Sequence, residues 1–171
     1  MIVIGLGSNV PGPWGSPRET VARALVALDG GPLRLRKASR LLITAPMGQQ
    51  NQPPYVNAVA VLATHLPPEA LMRRLHAIEH AAGRRRGVKW GPRTLDLDLL
   101  DYHGLIRNQR FPAVLSGRRP LLLPHPGIAD RSFVLVPLAG IAPGWRHPVS
   151  RRSAASLLAR LSPRGEGAVL A

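Results

Sequence analysis

The 171-residue chain contains no cysteine. That excludes a disulfide scaffold, a thiol nucleophile and a zinc–cysteine site, and it agrees with a cytoplasmic protein. Aromatic residues make up only 4%, so the core has to be built from Leu, Val, Ile and Ala. No apolar run approaches the ~18 residues that a spanning helix needs. Met1 to Asn9 has no basic leader, which predicts that no signal peptide is present. Acids are scarce too: 9 Asp and Glu against 23 Lys and Arg, for a net charge of +14, with Lys37 and Lys89 as the only lysines. Such a surface suggests an anionic partner, whether nucleic acid, a phosphate-bearing ligand or an anionic membrane. Arginine-biased coding would give the same excess. The 45% hydrophobic content excludes a disordered chain, and the length predicts one domain over residues 1–171.

The order of elements follows from periodicity and punctuation. Ile2 to Gly7 reads as a strand. Ser16-Pro17-Arg18-Glu19 opens a helix with a capping box, and Val21, Leu25 and Leu28 lie on its apolar face. Leu33 to Thr44 and Tyr55 to Thr64 read as two strands able to pair antiparallel across the loop from Ala45 to Pro54. A second helix begins at Pro67-Pro68-Glu69, buries Leu71, Leu75 and Ile78, and stops at Gly83. A basic loop then runs to Thr94, and Leu95 to Tyr102 forms a strand. This βαββαβ order predicts an α+β, ferredoxin-like split βαβ fold: an antiparallel sheet, helices on one face, and C-terminal additions. In those additions, Leu121 to Leu123 reads as a short strand. Asp130 reads as the cap of a helix from Arg131 to Leu138, Ser153 to Leu161 as a last helix, and the final ten residues as loose.

The sharpest chemical signal is Leu95-Asp96-Leu97-Asp98-Leu99-Leu100. Alternation along a strand buries the leucines and sets both carboxylates on the other face, ~6–7 Å apart. Like charges held that close call for a cation, and an all-oxygen donor set with room for water and phosphate oxygens suits Mg²⁺. An exposed strand face balanced by nearby arginines accounts for the same pattern. Just upstream, the segment from Gly83 to Thr94 carries Arg84, Arg85, Arg86, Lys89 and Arg93. Glycines permit movement, guanidinium groups clamp phosphate bidentately, and such a loop feeding a carboxylate pair suits phosphoryl transfer. A solvated basic loop is the plainer alternative. Trp90 offers a stacking surface, or a core tryptophan. Tyr55 and Asn57 share a strand face, where a ring and an amide together read the edge of a flat heterocycle. His76 and Glu79 share a helix face, either as ligand contacts or as a solvent-facing pair. His125 is restrained between Pro124 and Pro126. Gly5-Leu6-Gly7-Ser8-Asn9-Val10 fails to complete the dinucleotide-binding fingerprint, and neither a P-loop nor a metalloprotease His-Glu motif occurs.

The run Trp90-Gly91-Pro92-Arg93-Thr94-Leu95-Asp96-Leu97-Asp98 resembles the signature of the 6-hydroxymethyl-7,8-dihydropterin pyrophosphokinase family (2-amino-4-hydroxy-6-hydroxymethyldihydropteridine diphosphokinase). The resemblance extends through Ile4-Gly5-Leu6-Gly7-Ser8-Asn9, Thr44-Ala45-Pro46-Met47-Gly48 and Gln52-Pro53-Pro54-Tyr55-Val56-Asn57-Ala58. It returns at Leu123-Pro124-His125-Pro126 and from Arg131 to Leu138, in the family's order, over roughly residues 2 to 145. It implies transfer of the β,γ-pyrophosphoryl group of ATP to the pterin hydroxymethyl oxygen, with release of AMP, in folate biosynthesis. Asp96 and Asp98 would hold two Mg²⁺ ions on the ATP phosphates, and Arg84 and Arg86 would be the catalytic-loop arginines. His76, Glu79, Arg86, Trp90, Arg93, His125 and Arg131 would meet ATP. Thr44, Ala45, Pro46, Met47, Tyr55, Asn57, Trp90 and Phe133 would meet the pterin, Tyr55 and Phe133 as the pair that sandwiches it. The chain departs from the family's pattern at Leu42-Ile43, at His76 where a Gln is familiar, and in a long connection from Arg107 to Pro120.

Two other classes compete. A basic RNA-binding domain fits the charge, but no aromatic RNA-binding strand motif is present, and unmetallated paired carboxylates would repel a phosphate backbone. A catalytically dead relative would have lost functional residues, and the principal positions here keep compatible ones. The expected partners are therefore ATP and 6-hydroxymethyl-7,8-dihydropterin, with no nucleic acid and no membrane, acting on a monomer.

Overall fold

The computed structural model describes residues 1–46, 52–85, 92–107, 120–161 and 169–170. The elements are β1 (Ile2–Ser8), α1 (Pro17–Ala27), β2 (Arg34–Ala38), β3 (Leu42–Thr44), β4 (Tyr55–Ala63), α2 (Pro68–Ala81), β5 (Asp96–Tyr102), α3 (Ser132–Ile141), α4 (Ala154–Leu158) and β6 (Val169–Leu170). The sheet runs β5-β1-β4-β3-β6, with β2 also on β4, and every pairing is antiparallel. The first and third core strands are thus the inner pair, as a split βαβ arrangement requires.

Period-two alternation along β1 divides the molecule. Ile2, Ile4 and Leu6 point to one face and join Val21, Leu28, Leu71, Leu75 and Ile78 of the α1 and α2 layer. Leu97 and Leu99 of β5 enter the same cluster. Val3, with Val59 and Val61 of β4, points the other way and meets Val134, Leu135, Leu138, Trp145 and Leu157 of the C-terminal layer. Helix α1 starts as its sequence dictates: the Ser16 hydroxyl accepts from the Glu19 N–H while the Glu19 carboxylate accepts from the Ser16 N–H at 2.8 Å. Among the described residues no helix is long and apolar enough to cross a membrane.

Five readings of the sequence need correction. The stretch from Leu33 to Thr44 is two strands, interrupted at Ser39, whose N–H donates to the Val59 carbonyl and whose hydroxyl accepts from the Val59 N–H. That local bonding keeps the interrupted edge attached to β4. Leu121 to Leu123 is no strand; only Leu123 makes an isolated bridge, to Arg107. Asp130 does not cap α3, which runs Ser132–Ile141 with Arg131 at its N-cap and no side-chain cap bond. The tail is not wholly loose, because Val169–Leu170 pairs with Thr44 and Ile43. The last helix is shorter than expected, Ala154–Leu158, and Ser153 caps it through the Ser156 N–H.

Candidate active site

Helices α3 and α4 cover only part of their face of the sheet. The uncovered part is a cavity of about 520 Å³. Its central strand contributes Gly5 and Gly7 of β1. Tyr55 and Asn57 of β4, with Thr44 and Ala45 at the end of β3, line one side, and Asp96, Asp98 and Leu100 of β5 the other. His125, Pro126, Gly127, Arg131 and Phe133 close it from the C-terminal layer, and Arg93 joins from the segment before β5.

The two glycines make room. A Cβ on Gly7 would lie 3.0 Å from the Asn57 Oδ1 and 3.8 Å from the Tyr55 ring, and one on Gly5 would lie 3.2 Å from Leu100 Cδ1. Either side chain would fill space that the cavity now owns. Asn57 is buried, and its Nδ2 donates to the Thr44 hydroxyl at 2.6 Å, which fixes the amide's orientation. This is an amide of fixed orientation that lines the cavity together with the Tyr55 ring. Arg131 sits 5.8 Å from the centre of the Phe133 ring and 3.6 Å from the Asp98 carboxylate, so one guanidinium touches both the apolar and the acidic part of the site.

Charge is concentrated on the acidic side. Arg84 and Arg93 both pair with Asp96 Oδ1, at 2.6 and 2.5 Å. Burial pushes the Asp98 carboxyl up from its usual range, and the like charge on Asp96 adds to this; His125, Arg131 and Arg93 oppose it. Burial also pushes His125 down. Its Nδ1 accepts from the Gly127 N–H at 3.0 Å, so the neutral ring carries its proton on Nε2. One layer below, Glu79 is only 3% exposed. It accepts from the Leu97 N–H at 2.7 Å, pairs with Arg84, and is pushed up to about 7, chiefly by burial. Burial raises the Tyr55 phenol as well.

Asp96 and Asp98 form an oxygen donor set on one strand face, and the guanidinium groups of Arg84 and Arg93 at Asp96 and of Arg131 near Asp98 offset their mutual repulsion. Among the described residues no group of three or more His, Cys, Asp or Glu side chains could cage a metal ion. Two carboxylates alone suit Mg²⁺ that completes its shell with water and substrate phosphates.

The structure thus gathers Thr44, Ala45, Tyr55, Asn57, Arg93, Asp96, Asp98, His125, Arg131 and Phe133 around one cavity. Arg84 reaches it through Asp96. Glu79 and His76 do not line it: Glu79 is buried under Arg84, whereas His76 is exposed on α2, so they are not a solvent-facing pair. Pro46 is half-buried beside Ala45 and outside the lining. Met47, Arg86 and Trp90 lie outside the described residues. Sequence reasoning missed Gly5, Gly7 and Gly127. For Gly5 and Gly7 the one sequence signal is a glycine repeated at period two inside a strand; for Gly127 only the fold shows that a Cβ would meet the Arg131 guanidinium at 2.6 Å.

Comparison with known proteins identifies the family. Residues 3–143 match the family model of 7,8-dihydro-6-hydroxymethylpterin-pyrophosphokinase (HPPK). The chain is 42% identical over 151 residues to the 2-amino-4-hydroxy-6-hydroxymethyldihydropteridine pyrophosphokinase of Pseudomonas aeruginosa, covering 88% of this chain and 85% of that one. It is 37% identical over 163 residues to the enzyme of the same name from Methylorubrum extorquens, covering 95% and 94%. A crystal structure of HPPK-DHPS in complex with substrates superposes with a TM-score of 0.64 at 14% identity. That match covers 92% of this chain and 42% of the longer one, and it supports the fold. A match over most of the chain, to a family model and to relatives of nearly its own length, establishes that the chain belongs to the 7,8-dihydro-6-hydroxymethylpterin-pyrophosphokinase family.

Proposed function

We propose that the chain is an ATP-dependent diphosphotransferase that moves the β,γ-pyrophosphoryl group of ATP to the hydroxymethyl oxygen of 6-hydroxymethyl-7,8-dihydropterin, releasing AMP, a step of folate biosynthesis. The observation that carries this reading is the joining of two unlike half-sites in one cavity. Tyr55, Phe133 and the fixed Asn57–Thr44 pair offer ring faces and an amide edge for a flat heterocycle. Asp96, Asp98, Arg84, Arg93 and Arg131 offer a carboxylate pair ringed by guanidinium groups for a polyphosphate. Binding both substrates here places the alcohol oxygen beside the β-phosphorus, and orientation is a large share of the catalysis that such a transfer needs.

Asp96 and Asp98 would hold two Mg²⁺ ions, which supply charge neutralisation on the phosphate oxygens when bound with ATP. The chain's own residues do the rest. Arg84, Arg93 and Arg131 stabilise charge that moves onto the bridging oxygen and AMP. His125, neutral with its proton on Nε2, can donate to a phosphate oxygen. Arg86 and Trp90 would close on ATP from the basic loop, and Met47 and Pro46 would border the pterin. Glu79 anchors Arg84, and His76 stands at the outer edge of the nucleotide side. The chain acts as a single-domain monomer in the cytoplasm, on small ligands.

The deciding experiment measures AMP formation from ATP, Mg²⁺ and the hydroxymethyl-dihydropterin. Pterin-dependent AMP that disappears in an Asp96→Ala/Asp98→Ala variant is expected. No AMP from folded wild-type protein would overturn the assignment.

A further inference from the structure

The structure assigns Asn9 a role outside the cavity. We infer that its side chain is a positioning device that ties the segment leading into Tyr55 to the segment carrying Arg93, so that filling one half-site tightens the other. The inference rests on the two-substrate reading above.

Asn9 follows β1 and is only 2% exposed. Its Oδ1 accepts from the Arg93 N–H at 2.9 Å. Its Nδ2 donates to the Pro53 carbonyl at 3.3 Å and to Gln52 Oε1 at 3.1 Å. The amide cannot be turned over: Arg93 N–H can only donate, and the Pro53 carbonyl can only accept. The backbone adds a further bond, from Asn9 N–H to the Arg93 carbonyl at 3.1 Å. The Arg93 residue is therefore gripped on both its N–H and its C=O by a single neighbour.

Both ends of this bridge lead directly into the site. Arg93 lines the cavity and pairs with Asp96. Pro53 is separated from Tyr55 by Pro54 alone, and two consecutive prolines fix φ and transmit displacement rather than absorb it. A ligand that seats the Tyr55 ring fixes Pro53, and through the Asn9 amide it fixes Arg93. The entropy of ordering that segment is then already spent when the second ligand arrives, which is positive coupling between sites.

The test uses the full chain and calorimetric binding of 6-hydroxymethyl-7,8-dihydropterin, with and without Mg²⁺ and the non-transferring α,β-methylene analogue of ATP. In wild type the analogue should tighten pterin binding by about 5–150-fold, the usual range for coupled sites. In Asn9→Ala the tightening should fall to within about twofold, the scatter expected of independent sites. Equal tightening in both proteins would overturn the inference, even if the variant binds pterin more weakly throughout, since that is what a merely structural role predicts. Wild type that binds both ligands without tightening would also overturn it while leaving the proposed function standing. Wild type that binds neither would overturn both. Should Asn9→Ala fail to fold, hydrogen exchange in wild type decides: pterin alone should slow exchange at the Arg93 amide, and an unchanged rate would overturn the inference.

Discussion

The two faces of the sheet are built from the same strands and serve opposite ends. On the α1 and α2 side, β1 presents Ile2, Ile4 and Leu6, each buried against helical leucines. On the other side the same strand presents Val3, then Gly5 and Gly7, and the packing stops where the glycines begin. One face spends its side chains on stability, and the other leaves them out to hold a ligand. Strand β5 repeats the contrast within a single residue type. Asp96 and Asp98 face the cavity with burial and repulsion working against Asp98, whereas Asp101 is fully engaged. Asp101 accepts from the Trp145 indole N–H at 2.7 Å and from the Gly104 N–H at 2.9 Å. An aspartate with two neutral donors is part of the framework. An aspartate left with a like charge and movable arginines is available for chemistry.

The largest effects should separate the faces outright. Asp98→Asn removes a charge that burial disfavours, so the melting temperature of the ligand-free protein should hold or rise. AMP formation should fall by at least about 10²–10³-fold, the loss typical of one preorganised electrostatic contact. Leu75→Ala, on the closed face, should do the reverse. Leu75 is wholly buried in the aliphatic cluster, so truncation should cost about 2–5 kcal/mol in a denaturant titration. The protein that remains folded should turn over at nearly the wild-type rate. A Leu75→Ala protein that is stable but inactive would break the division.

Glu79 stands between the two regimes, and its pH dependence sharpens the boundary. Its carboxyl is pushed from 4.5 to about 7 in the folded protein, chiefly by burial. The folded state therefore holds a proton that the unfolded state has released. Stability contributed by that proton is present below about pH 4.5 and is lost as pH rises to about 7. The loss is about 3 kcal/mol at most, from the size of the shift. Unfolding measured from pH 4.5 to 8 should show this decline in wild type and a flatter profile in Glu79→Gln. Identical profiles would mean that Arg84 holds Glu79 ionised throughout.

Much of this division is legible in the sequence, and the parts that are not have physical reasons. The alternation of Leu95, Leu97 and Leu99 with Asp96 and Asp98 places both acids on the cavity face, because a flat strand has no other option. Two residues later the rule fails. The register slips between Val3 and Ile4, so that Leu100 and Asp101 both turn toward the C-terminal layer. A bulge adds a residue without changing composition, and periodicity cannot register it. Asp130 has the chemistry of a helix cap, yet Arg131 occupies that position, where its guanidinium reaches Asp98 and Phe133. Tertiary contacts outweigh a cap bond there. The pairing of Val169–Leu170 with β3 joins residues more than a hundred positions apart, and two residues carry no local pattern. Asn9 is visible only as a polar residue ending a strand; its partners come from two other segments.

The smallest expected effect tests the glycines, and it needs two opposing magnitudes. Replacing a strand glycine by alanine gains about 0.5–1 kcal/mol by restricting the unfolded chain, provided the new methyl group has room. At Gly5 the nearest atom, 3.2 Å away, is the terminal methyl of Leu100, which can rotate aside. Gain and crowding should nearly cancel, leaving stability within about 0.5 kcal/mol of wild type. At Gly7 the obstacle is the Asn57 Oδ1 at 3.0 Å, part of an amide held by Thr44 and unable to withdraw without giving up that bond. Crowding costs about 1–3 kcal/mol in such a setting and should win. Because Asn57 lines the side of the cavity proposed for the pterin, the cost should emerge as a KM for pterin raised about fivefold or more, with the KM for ATP within about twofold of wild type. Gly5→Ala should leave both near their wild-type values. If Gly7→Ala raises the KM for ATP instead, the amide beside Gly7 belongs to the phosphate half of the cavity, and the boundary between the two half-sites runs on the other side of β1.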